Sequence, residues 1–416
     1  MRVVSGLMFF PRGGSSHVAR ALARQLPDSG WDVTIVSGSR RGADARRFYA
    51  GLDTVAVDFD AGDAPMQPSY EDRPDAADKV FARVGDEELE RHVDAWATAL
   101  ERARASEADV LHLHHLTPLY EAAARVAPDV PVVGHLHGTE LLMFERIADG
   151  APDAWAHADT WWERMRGWAA RCERLVVLSQ SQVDRVERLL DIDRDRCVVV
   201  PNGYDPQHFT RRDVDRATFW PEHGGVPGDR TILLYVGRFT EVKRVGLLVR
   251  AYARARERFE RPAALVIVGG HEGECEGEHP CDVARELGLD DVFLTGWQEH
   301  EDLPDFYSAA DVGVLASICE QFGLVLVEGM ACELPPIAVG RYGPADIVTP
   351  GETGWLVAPD DEAGLADAIL EAVSDPAELR RRGAAGSQDV AQRFACPAIA
   401  QQLGETLAQA AAGLPA

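Results

Sequence analysis

Apolar residues along this chain come in short runs, separated by stretches in which they return every three or four positions. Short apolar runs bounded by Gly, Pro, Asn or Asp are the signature of buried strands, and the wider spacing is that of amphipathic helices. The opening segment predicts a strand at RVVSGLMFF (2–10), a loop at PRGGSS (11–16), a helix at HVARALARQL (17–26) and a second strand at DVTIVSG (32–38). Further strands are predicted at DTVAVDF (53–59), ADVLHLHHL (108–116), PVVGHLHG (131–138), RLVVLS (174–179) and CVVVP (197–201). The helical stretch EELERHVDAWATALERARAS (87–106) stands between two of them. The same opening pattern returns at TILLYVGRFTEVKRVGLLVRAYARA (231–255), followed by AALVIVGG (263–270). Strands at VFLTG (292–296), DVGVLAS (311–317), PPIAV (335–339) and GWLVAP (354–359) complete a second set.

Strands alternating with helices imply parallel, doubly wound sheets. The pattern occurs twice without a repeat of the sequence. The predicted class is therefore α/β, with two Rossmann-like doubly wound domains facing a central cleft. A length of 416 residues suits two such domains. The join is placed at the Pro/Gly/Asn-rich loop PNGYDPQHF (201–209). This gives a first domain over 1–200, a second over 201–394, and a final stretch over 395–416 whose helix could pack back on the first domain. In such sheets ligands lie beyond the carboxyl ends of the strands, so chemistry is expected on the loops that follow strands.

Charge and composition narrow the partners. The net charge of -26 argues against nucleic acid, whose phosphates demand a basic face. No apolar run reaches about 18 residues, so no transmembrane segment is expected. The N-terminus MRVVSGLMFFPRGG is read as strand and loop rather than as a signal peptide, because no small-residue cleavage site follows. The seven cysteines are odd in number and scattered, which fits a reducing, cytoplasmic setting without a disulfide framework. An anionic ligand would need a local island of positive charge. Lys79 and Lys243 are the only lysines.

Three constellations carry candidate chemistry. In CEQFGLVLVEGMACELPPIAV (319–339), Glu320 sits in a loop after a strand and Glu328 about two turns into the next helix. Phe322, Gly323 and Leu324 would open that helix, with backbone N–H groups turned toward an anion. A carboxylate at Glu328 suits the hydroxyls of a ribose, as an acidic residue does in dinucleotide sites. In YVGRFTEVKRV (235–245), Arg238 and Lys243 can clamp a diphosphate, the first by a fork of donors and the second as a point charge. They would also stabilise a departing nucleoside diphosphate as its charge develops. In PRGGSSHVARAL (11–22), Gly13 and Gly14 at a strand-to-helix turn allow a phosphate or sugar to approach.

Other groups are weighed against plainer roles. His112, His114, His115, His135 and His137 fall at strand ends, with spacings that place rings on one strand face. A metal site is one reading, but polar residues at strand ends more often bind ligand hydroxyls, and no metal is expected. His137, beside Gly138, is the one taken to face the crevice. HEGECEGEHPC (271–281) offers His271, Cys275, His279 and Cys281 without the spacing of a closed zinc site, and is read as an acidic surface loop. Trp161, Trp162 and Trp168 are read as helix packing rather than a membrane face.

Taken together, these residues resemble the family-4 retaining glycosyltransferases of the GT-B fold. The family's acidic pair is matched by Glu320 and Glu328, and its Arg and Lys by Arg238 and Lys243. Its double-glycine loop is matched by Gly13 and Gly14. Its P-N-G-V-D signature appears as Pro201, Asn202, Gly203, Tyr204 and Asp205. Its G-G-P-A-E-I-V pattern appears from Tyr342 to Val348, with Tyr342 in place of a glycine and Asp346 in place of Glu. GETGWLVAPDD (351–361) fits as well. The resemblance spans the whole chain and is densest over 198–361. It implies that Glu320 contacts donor-sugar hydroxyls, Glu328 the ribose, and Arg238 with Lys243 the diphosphate, and that His137 is the crevice histidine. It also implies transfer with retained anomeric configuration, without a DxD-bound metal or other cofactor.

The implied donor is a nucleotide-diphosphate sugar carrying a hexose, with uridine taken as the base. The acceptor is a hydroxyl of a small molecule, saccharide or lipid. A metal-dependent transferase using Asp58 and Asp60 is a rival, but it would not need the second Rossmann-like half. A glycoside hydrolase is disfavoured because the clustered cations favour a phosphate donor; on a helix eight residues would also span about 12 Å where hydrolases need about 5–9.5 Å, an objection that the loop position of Glu320 weakens. A non-catalytic nucleotide-sugar-binding protein is the remaining alternative.

Overall fold

The computed structural model of the protein describes residues 1–11, 14–72, 78–270 and 275–413. Gly13 and His271 lie outside the described residues. The chain divides into two compact units, one formed by Met1–Gly203 with Cys396–Ala416 and the other by Tyr204–Ala395.

The first unit is built on β1 (Arg2–Leu7), β2 (Asp32–Ser39), β3 (Asp53–Asp58), β4 (Val110–His114), β5 (Val132–His135), β6 (Arg174–Val177) and β7 (Cys197–Val199). They lie in the order β3-β2-β1-β4-β5-β6-β7, each pair parallel. The second unit is built on β8 (Thr231–Val236), β9 (Ala263–Val268), β10 (Val292–Gly296), β11 (Val312–Leu315), β12 (Pro336–Val339) and β13 (Trp355–Val357). Their order is β10-β9-β8-β11-β12-β13, again all parallel.

Parallel strands covered on both faces need apolar residues at nearly every position. β9 shows this directly, since all six of its residues are buried. The covering helices turn one face inward. The helix Asp86–Arg102 buries Leu89, Val93, Trp96, Ala99 and Leu100, and opens with Asp86, Glu87 and Glu88, where the helix dipole favours carboxylates. Trp161 and Trp168 are fully buried on the helix Ala158–Arg171, and the Trp161 indole donates to the carbonyl of Val84 at 2.8 Å. These tryptophans are core residues. No helix among the described residues is long and apolar enough to cross a membrane.

The chain returns to the first unit through its last helix, Cys396–Ala411, whose Gln402 side chain donates to the carbonyl of Val199 at 2.9 Å. In each sheet the strand order reverses once, between β1 and β4 in the first and between β8 and β11 in the second. The loops at the carboxyl ends of those strands are where doubly wound sheets bind ligands.

Candidate active site

At the switch point of the second unit, β8 runs into the turn Glu241–Lys243 and β11 into a loop ending at the helix Leu324–Ala331. The backbone N–H of Ile318 donates to the carbonyl of Val242 at 3.0 Å and ties the two loops together. Across them, Lys243 Nζ donates a short, charge-assisted bond to Glu320 Oε2. Arg238 makes no side-chain hydrogen bond or ion pair among the described residues. Its carbonyl accepts from the buried Tyr235 hydroxyl at 2.7 Å. On the same two loops, the buried hydroxyls Thr240 Oγ1 and Ser317 Oγ have no partner among the described residues. Buried polar groups are nearly always satisfied, so unmatched ones on the loops that carry two cations suit a polar, anionic ligand.

The loop after β11 reaches its helix through a conformation that favours glycine. Gly323 caps the helix at φ 105°, and Leu324 is the first helical residue. The Phe322 side chain turns inward against Phe394, with ring centroids 5.6 Å apart, so it can serve a ligand only through its backbone. Gly343 donates its N–H to the Glu320 carbonyl at 3.2 Å. A β-carbon at Gly343 would lie 2.1 Å from the Phe322 carbonyl oxygen, so only glycine fits there. Tyr342, where the family pattern has glycine, keeps φ at 55°. The Arg341 guanidinium stacks on its ring at 4.6 Å.

Glu328 lies on the same helix and is 5% exposed. Its Oε1 is 2.9 Å from His300 Nε2, and its Oε2 accepts from the Tyr307 hydroxyl at 3.4 Å. Burial and the adjacent Glu328 charge push the Tyr307 hydroxyl well above its ordinary range, so it remains a donor. His300 stands in the loop after β10 and was missed in the sequence. The only signal was a histidine set between acidic residues just beyond a strand's carboxyl end.

The first unit gathers its histidines at the other switch point. β4 carries His112 and His114 on one face, and the register of β5 sets His135 beside His114. His112 Nε2 is 3.1 Å from His135 Nδ1, and His114 Nδ1 is 2.9 Å from His137 Nε2. Ser5 Oγ on β1 is 3.3 Å from His114 Nε2. Burial pushes His112 down to about 3, and pushes His114, His135 and His137 well below the usual imidazole value, so these rings are neutral. His115 Nδ1 is 3.4 Å from Oε1 of the fully buried Glu140, which also accepts the His137 N–H at 3.2 Å. Burial alone would raise the Glu140 carboxyl, but His115 and these hydrogen bonds hold it below its ordinary value. Gly14 opens the helix Gly14–Gln25 on the neighbouring loop.

The remaining candidates serve local structure. Asp58 Oδ1 accepts the N–H groups of Asp60 and Ala61 at 3.1 and 3.2 Å, closing a turn, and Asp60 lies 3.8 Å from Arg40. His279 Nδ1 accepts the N–H of Cys281 as a helix cap at 3.2 Å.

Comparison with known proteins places both units. The family described as Glycosyl transferases group 1 matches residues 217–389, and that described as Glycosyltransferase Family 4 matches residues 12–208. A D-inositol 3-phosphate glycosyltransferase of Stackebrandtia nassauensis is 32% identical over 76% of this chain and 72% of its own. The chain belongs to the family-4 glycosyltransferases of the GT-B type. This glycosyltransferase is also 26% identical to the N-acetyl-alpha-D-glucosaminyl L-malate synthase of Bacillus anthracis, over 97% of this chain and 96% of that one. Its fold matches the sucrose-phosphate synthase of Thermosynechococcus elongatus with a TM-score of 0.78, at 23% identity over 99% of each chain. It also matches Anabaena HepE, solved in complex with UDP-glucose, with a TM-score of 0.73 at 19% identity, over 98% of this chain and 100% of that one.

Proposed function

We propose that this glycosyltransferase binds a UDP-sugar at the switch point of its second unit and transfers the hexose, with retained configuration, to a hydroxyl acceptor. The observation that carries this reading is the Lys243–Glu320 pair joining the loops after β8 and β11, loops that also carry Arg238 and the unmatched hydroxyls of Thr240 and Ser317. Arg238 and Lys243 take the two phosphates, helped by the backbone N–H groups at Phe322, Gly323 and Leu324. Glu328, oriented by His300 and Tyr307, takes the ribose hydroxyls. When the donor enters, Lys243 turns from Glu320 to the β-phosphate, and Glu320 is released to the sugar hydroxyls. Gly13, Gly14 and His137 belong to the first unit's share of the reactants.

In the reaction, the bond between the anomeric carbon and the β-phosphate oxygen breaks and UDP leaves with the electron pair. The acceptor oxygen bonds to the same face of that carbon, and its proton passes to a phosphate oxygen. The charge growing on the β-phosphate is stabilised by Lys243 and Arg238 rather than by a metal ion. Relatives named for D-inositol 3-phosphate and L-malate support a small hydroxylated acceptor ahead of a saccharide or lipid.

The test is proton NMR of the product formed from a panel of α-linked nucleotide-diphosphate sugars and, as donors without a diphosphate, α-linked sugar 1-phosphates. An α-linked product from a UDP-hexose is expected. A β-linked product would overturn retention, and turnover only with donors lacking a diphosphate would overturn the donor assignment.

A further inference from the structure

We propose that His112, His114 and His135 form a transition-metal site in the first unit, filled by Zn2+ or an ion of similar ligand preference. This departs from the sequence-based expectation of no metal, and it stands apart from the donor reading, which concerns the other unit.

The three side chains offer one nitrogen each, all within 4.8 Å of one another. Around a tetrahedral zinc with bonds of about 2.0–2.1 Å, ligand nitrogens lie about 3.3 Å apart and ring centroids about 5 Å apart. The observed centroid separations are 4.4 Å for His112 with His114, 5.3 Å for His112 with His135, and 5.0 Å for His114 with His135. The rings therefore already stand at the spacing of a shared ion, and small rotations bring the nitrogens to bonding distance. All three residues are 1% exposed, so no water competes for their lone pairs.

The hydrogen bonds of His135 do not close on their own. Its Nδ1 faces His112, and its buried Nε2 has no partner among the described residues. A neutral imidazole carries one N–H and one lone pair, so one nitrogen of His135 goes unmatched however the protons are placed. A cation supplies the missing partner by accepting that lone pair. The surroundings also supply what such sites need. His114 Nδ1 is 2.9 Å from His137 Nε2, which fixes the ring as an outer partner does for a metal-binding histidine, and its Nε2 gives up the longer 3.3 Å contact with Ser5 when it takes the ion. The fully buried Glu140 carboxylate, reached through His115 and the His137 N–H, offsets part of the ion's charge.

Three imidazoles select the ion. Nitrogen ligands without carboxylates suit Zn2+, Co2+, Ni2+ or Cu2+ and not Mg2+, Mn2+ or Ca2+. The site pins the carboxyl ends of β4 and β5 together and, through His114, sets the ring of His137. Because the ligands are buried, the ion is taken up on folding and exchanges slowly with chelators.

The test is metal analysis of the full chain expressed with added Zn2+ or Co2+ and purified in chelator-treated buffer. The comparison is with a His112→Leu/His135→Leu variant, whose circular dichroism and thermal melting report folding. The wild type should retain about one equivalent of metal per chain. The variant should retain none while its circular dichroism matches the wild type. If the double variant does not fold, His135→Asn, which keeps a polar side chain, decides by the same measurement and should lose the metal. Wild-type protein holding no more metal than the variant would overturn the proposal, as would a His135→Asn protein that keeps a full equivalent.

Discussion

Replacing His300 by alanine tests how Glu328, the carboxylate proposed for the ribose hydroxyls, is positioned. Glu328 is held by two donors, and the His300 contact at 2.9 Å is much the shorter, against 3.4 Å for Tyr307. The Glu328 side chain is 7% exposed, whereas His300 is 28% exposed, so water can partly fill the space His300 leaves. A hydrogen bond to a charged group contributes about 1.5–3 kcal/mol, and partial replacement by water brings the expected loss to about 1–2 kcal/mol. That is roughly a 5- to 30-fold rise in the Kd of UDP. A ribose contact exists before and during reaction, so KM for the donor should rise while kcat holds. The decisive assay is calorimetric titration with UDP and with 2′,3′-dideoxy-UDP. If His300 acts through Glu328 on the ribose hydroxyls, its removal should cost little with the dideoxy ligand. For the same reason the His300→Ala/Glu328→Ala variant should bind UDP as Glu328→Ala does. His300→Gln, which keeps an N–H donor, should recover part of the loss. An equal penalty with both nucleotides, or a fall in kcat with unchanged UDP affinity, would refute the positioning role.

Other outcomes follow from the same geometry. Lys243→Ala should lower turnover by about 30- to 1,000-fold, the loss of about 2–4 kcal/mol of charge stabilisation, with circular dichroism unchanged and Lys243→Arg rescuing only in part; near-wild-type turnover would remove the clamp. Turnover should survive EDTA, and activity lost to the chelator and restored by Mn2+ would return Asp58 and Asp60 to candidacy. His92, on the helix Asp86–Arg102, has neither ring nitrogen partnered among the described residues, and burial lowers it from 6.5 to about 4. Its folded value is depressed, so the unfolded chain takes up the proton first, and stability present above pH 6.5 is lost as pH falls toward 4. At 1.36 kcal/mol per unit this amounts to about 3 kcal/mol. Thermal melts of His92→Leu should flatten over that window, and an unchanged slope would count against it.

Much of the fold was legible because both sheets are parallel and covered on both faces. Each strand then reads as a continuous apolar run, as β9 does, and the reversal points place the loops that carry Lys243 and Glu320. Contacts that depend on register and loop path were not legible. His300 and Glu328 are 28 residues apart and sit on different elements, so nothing in their spacing pairs them. The histidines were visible as a pattern. Their closure into a cluster depends on β5 setting His135 against His114, a register fixed by strand pairing rather than by either segment alone. The substitution at Tyr342 was read from the family pattern, but not its left-handed conformation, because the φ of a non-glycine residue is imposed by its surroundings.

Titration of UDP, UMP and uridine into the wild type, Lys243→Ala and Glu328→Ala tests the donor site most directly. UDP should bind the wild type well above UMP. Lys243→Ala should erase most of the advantage of UDP over UMP while leaving UMP nearly unchanged, and Glu328→Ala should weaken all three ligands. If UDP binds all three proteins alike, the nucleoside diphosphate is not held at the switch point between β8 and β11, and the assignment of the donor to the second unit fails.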